Sequence, residues 1–123
     1  MTTFLWVCSW VGIALTYAIG LGGLFATAKM AASQNIKLDG PLAGGELRVA
    51  LGSNFFVIAS ALAWLRSAEL FLVLAVMWAV ATVVKLVSFA LDKPPVAQGI
   101  VGVMVDVVMA LLMYSGYLVY RLA

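Results

Sequence analysis

Long apolar runs alternate with short polar breaks along this chain, and the length of the runs decides what they are. Apolar residues dominate over positions 4–27, 46–65, 70–91 and 99–120. Each run has the roughly 20 residues that a helix, rising about 1.5 Å per residue, needs to cross some 30 Å of hydrocarbon. The pattern predicts an all-α integral membrane bundle of four transmembrane helices forming a single domain over 1–123. Short connectors make neighbouring helices antiparallel, and an even number of crossings leaves both termini on the same side.

The breaks carry their own signals. From Lys29 to Gly45 the chain turns polar, with Ser33-Gln34-Asn35, Lys37, Asp39 and Gly40-Pro41, which predicts the longest connector. Arg66-Ser67-Ala68-Glu69 leaves room only for a tight turn. Lys93-Pro94-Pro95 stops the third helix, because Pro95 disfavours the helical conformation at Pro94 and neither proline donates a backbone hydrogen bond. The first run ends in Ala26-Thr27-Ala28, which resembles a signal cleavage site. Its apolar region is longer than the roughly 7–15 residues of a signal peptide and no Lys or Arg precedes it, so a retained span is expected. Tyr114, Tyr117, Tyr120 and Arg121 read as an aromatic and basic anchor at the far interface.

Composition agrees with a bilayer: 66% of residues are hydrophobic and 10% charged, against about 25% charged in soluble domains. A net charge of +2 without a Lys/Arg cluster argues against nucleic acid as a partner. With no histidine and Cys8 as the single cysteine, a histidine-held haem or zinc, a Ser-His-Asp triad and an intrachain disulfide are excluded. No cofactor or metal is expected. The expected partners are the lipid bilayer and another membrane protein or a second copy of the chain. Lys29, Lys37 and Lys93 fall on one side and Arg66 and Arg121 with the free amine on the other, which leaves orientation open.

Four charges inside the apolar runs are the candidate site. Glu46 and Arg48 open the second run, Lys85 lies in the third and Asp106 in the fourth. Lys85 is roughly 10 Å in from Asp92, and Asp106 roughly 10 Å in from Gly99. Alternating helices bring all four into one leaflet, where two acids and two bases are expected to compensate one another, since an unpaired ion in hydrocarbon is costly. Glu46 shares a face with Ser53 and Ser60, whereas Arg48 and Gly52 lie roughly opposite, so one charge must turn to another helix or snorkel. Trp78, Lys85, Ser88 and Asp92 share a face expected to point inward, and Gly102, Asp106 and Ala110 recur at four-residue spacing. On the first helix Cys8, Gly12, Thr16 and Gly20 form a stripe of small residues, predicted to be a packing face. Among apolar neighbours, Cys8 is expected to keep its proton and stay unreactive.

These residues also carry a resemblance. The chain is similar to the bacterial membrane family catalogued as domain of unknown function 4345. The likeness rests on Glu46, Arg48 and Gly52, on Lys85-Leu86-Val87-Ser88 with Asp92-Lys93, and on Asp106. The family usually has arginine at the place of Lys85 and glutamate at that of Asp106, a longer or more bidentate pair. The resemblance implies a four-helix fold and no assigned activity, and with it residence in a bacterial inner (cytoplasmic) membrane.

Three functions compete on this footing. Balanced charges leave no proton site that must cycle, which favours a non-catalytic membrane protein, an accessory or scaffold subunit associating with a larger membrane complex or with lipids. A small transporter acting as a dimer is the alternative, weakened by the lack of an acid in the first helix and by the bases near the others. The third is a membrane enzyme on lipid or quinone, with Glu46 or Asp106 as acid or base and Arg48 or Lys85 holding an anionic headgroup, because burial can raise a carboxylate pKa.

Overall fold

The computed structural model describes residues 1–122, and its regular structure is helical throughout. Helix α1 runs Thr2–Phe25, α2 Thr27–Ser33, α3 Ala43–Leu47, α4 Asn54–Leu65, α5 Ala68–Asp92 and α6 Val96–Leu122. A π-helical turn over Arg48–Ser53 joins α3 to α4, so Ala43–Leu65 is one continuous helical segment. This segment, α1, α5 and α6 are the four helices long and apolar enough to cross a membrane. Between 17% and 28% of each spanning window is buried. On α5 the outward side includes Val73, Val76, Val80, Val83, Val84 and Val87. A continuous apolar face of this kind is a liability in water and matches hydrocarbon in a bilayer. The chain is an integral membrane protein.

Local sequence explains the helix ends. Ser67 caps α5, its Oγ accepting from the Leu70 amide at 3.3 Å, and Glu69 places negative charge in the first turn, where the helix dipole favours it. At the other end Lys93 adopts a left-handed conformation, φ 47° and ψ 57°, and Pro94-Pro95 follow. Only Arg66 and Ser67 separate α4 from α5. The connector departs from the polar loop expected over Lys29–Gly45, because its first residues are helical. The chain breaks at Ala26 (φ −132°, ψ 44°) and restarts as α2, while Thr27 Oγ1 donates back to the Gly23 carbonyl at 2.6 Å. A run of Ala, Met and Lys after the break has ample helix propensity, and this outweighs the polarity that suggested a loop.

The contacts group into two compact units: one comprises Met1–Gly12 with the residues from Arg66 onward, the other Ile13–Leu65. In the first, α5 and α6 form an antiparallel hairpin. Phe71 is completely buried, its ring stacked on Tyr120 with centroids 5.5 Å apart and planes 18° apart. Gly116 lies against that ring so closely that even a methyl group would collide with it. The start of α1 belongs to the same unit. Trp6 and Trp10 pack edge to face at 6.1 Å, and the Arg66 guanidinium stands 5.6 Å from the Trp10 ring centroid, within cation–π range.

In the second unit the later half of α1 runs antiparallel to the segment containing the π-turn and α4. Tyr17 and Ser60 share a hydrogen bond of 2.8 Å between their hydroxyls, and the Tyr17 ring meets Phe56 edge-on at 5.6 Å. Further along, Gly20 approaches the Phe56 backbone, and Gly23 meets Gly52. A Cβ on Gly23 would stand 2.5 Å from the Gly52 nitrogen, so this crossing exists only because neither residue carries a side chain.

Candidate functional site

Two of the four intramembrane charges meet. Lys85 Nζ lies 2.9 Å from Asp106 Oδ2, which joins the middle of α6 to the later part of α5. The ammonium also donates to the Gly102 carbonyl at 3.4 Å. The lysine stem passes over Gly102, where a Cβ would stand 3.4 Å from Nζ, an ordinary contact. Asp106 comes one helical turn after Gly102, and the spacing of these two residues therefore presents a carbonyl and a carboxylate to one ammonium.

The two partners differ in exposure. The Asp106 side chain is 2% exposed and that of Lys85 45%. Lys85 is seven residues before the end of α5, or about 10 Å, while Asp106 is ten residues into α6, or about 15 Å. The carboxylate is thus deeper than expected, because α6 begins at Val96 rather than Gly99, and the long lysine side chain bridges the difference. The arrangement is an ion pair between neighbouring helices, with its carboxylate buried and its ammonium side open.

Glu46 and Arg48 lie in the second unit. Both are exposed, and among the described residues neither has an ion-pair partner. Their positions give the reason: they occupy the first two turns of the Ala43–Leu65 segment, where side chains reach headgroup level and water offsets their charge. Nor does the polar face of α5 point inward along its length. Trp78 is buried, Ser88 half-buried, and Lys85 and Asp92 are exposed.

On the stripe of small residues, Gly12, Thr16 and Gly20 are buried and Cys8 is half-buried. Gly12 packs against Leu112 and Met113 in the first unit, and Gly20 against Phe56 in the second, so the stripe is used within the fold. Sequence reading missed the Gly23–Gly52 crossing. It also missed Glu69 and Arg121, whose charged atoms stand 4.0 Å apart, both well exposed; such a surface pair contributes little. Among the described residues no group of three or more His, Cys, Asp or Glu side chains could hold a metal ion. The chain matches no protein-family model, no curated protein and no solved structure.

Proposed function

We propose that this chain is a non-catalytic accessory or scaffold subunit of a larger complex in a bacterial inner membrane, related to domain of unknown function 4345. The observation that carries this reading is the pairing of Lys85 with Asp106 at 2.9 Å. A transporter that couples to protons needs a carboxylate that gains and loses one during its cycle, and an enzyme needs an acid, base or cation facing its substrate. The deep carboxylate here is instead neutralised by the neighbouring helix. What remains available is the outward apolar surface, including the valine face of α5, which suits a neighbouring helix as well as lipid.

Purification from native membranes in mild detergent, followed by intact-mass measurement, tests the proposal. The expected result is the chain bound to another membrane protein at fixed stoichiometry. A chain recovered only alone, as monomer or homodimer, would contradict it.

A further inference from the structure

We infer that the second unit carries a binding site for the phosphate headgroup of an anionic phospholipid, built from Lys29 and Arg48. A cavity in this unit is walled by the stretch 24–29 on one side and by Arg48 on the other. It adjoins the Gly23–Gly52 crossing. One turn beyond Gly23 stands Thr27, and one turn before Gly52 stands Arg48, so the antiparallel register brings Arg48 opposite the break at Ala26. The helical conformation is interrupted at Ala26, beside the recess that the stretch 24–29 and Arg48 line.

The lining has the character of an anion site. Lys29 and Arg48 are both exposed, and among the described residues neither is in an ion pair. No carboxylate lines the cavity, and Glu46 stays outside it. Arginine offers a planar fork that matches phosphate oxygens and lysine a mobile point charge, and together they suit a phosphodiester. Depth selects the source. The 24 residues of α1 cover about 36 Å, more than the hydrocarbon core, which leaves residues 25–29 at headgroup level. Phe25, 82% exposed beside the cavity, gives the acyl region an apolar contact next to the two cations. The site is independent of the accessory role, since it requires no partner protein.

The test uses the full chain in phosphatidylcholine vesicles doped with spin-labelled phosphatidylglycerol or spin-labelled phosphatidylcholine, the motionally restricted fraction being read for each. The expected result is a preference for phosphatidylglycerol that falls about fivefold for each of Lys29→Gln and Arg48→Gln, with helix content unchanged. It should survive Lys37→Gln with Lys93→Gln, two exposed lysines outside the cavity. Equal restriction of the two lipids, or a preference lost equally in the lysine control, would overturn the assignment. So would binding of inorganic phosphate to the chain in phosphatidylcholine alone, abolished by Arg48→Gln and unaccompanied by any lipid preference, because the ligand would then be a soluble anion.

Discussion

At the scale of single residues, the unequal burial of Lys85 and Asp106 makes their contributions to stability unequal. Removing the lysine strands a carboxylate that is 2% exposed. Removing the aspartate frees an ammonium already 45% exposed, which can swing on its stem toward the headgroups. Lys85→Met should therefore destabilise the protein by about 3 kcal/mol, Asp106→Leu by less, and the double change by less than the two together, because an apolar pair replaces an ionic one. Thermal unfolding of the three variants in detergent checks this. Strictly additive losses would mean that the two side chains do not interact.

At the scale of helices, what the sequence made legible was whatever depends on length and local chemistry. Four apolar runs became four spanning helices, Pro94-Pro95 marked the end of α5, and Arg66-Ser67 marked the corner before it. Lys85 and Asp106 were legible as partners because each can be counted from the same loop. What stayed hidden depends on which helix meets which. Periodicity does not tell that Gly52 faces Gly23 or that Gly116 lies under Phe71, since a glycine in an apolar run looks the same whether it meets lipid or a backbone. The π-turn over Arg48–Ser53 was illegible for a related reason: widening one turn shifts the register of every later side chain without requiring an unusual residue. The close crossing next to that turn gives a test. Gly23→Ala should destabilise the protein by about 1–3 kcal/mol, because its methyl would meet backbone that cannot rotate away. Gly44→Ala, where nothing stands within 4 Å of an added Cβ, should leave stability unchanged or slightly raised. Equal effects in a detergent melting experiment would show that the crossing is not close-packed.

At the scale of the whole molecule, little of each spanning helix is buried, and the deepest charge is matched within its own hairpin. On the proposed reading, the extensive apolar surface serves association, and the paired charges of the hairpin do not move an ion. Proton flux across vesicles containing only the purified chain, followed with a pH-sensitive dye under an imposed gradient, tests this most directly. The account predicts the leak of protein-free vesicles for the native chain and for Asp106→Asn alike. A flux well above that leak in the native chain, abolished by Asp106→Asn, would contradict it and make the carboxylate part of a transport cycle.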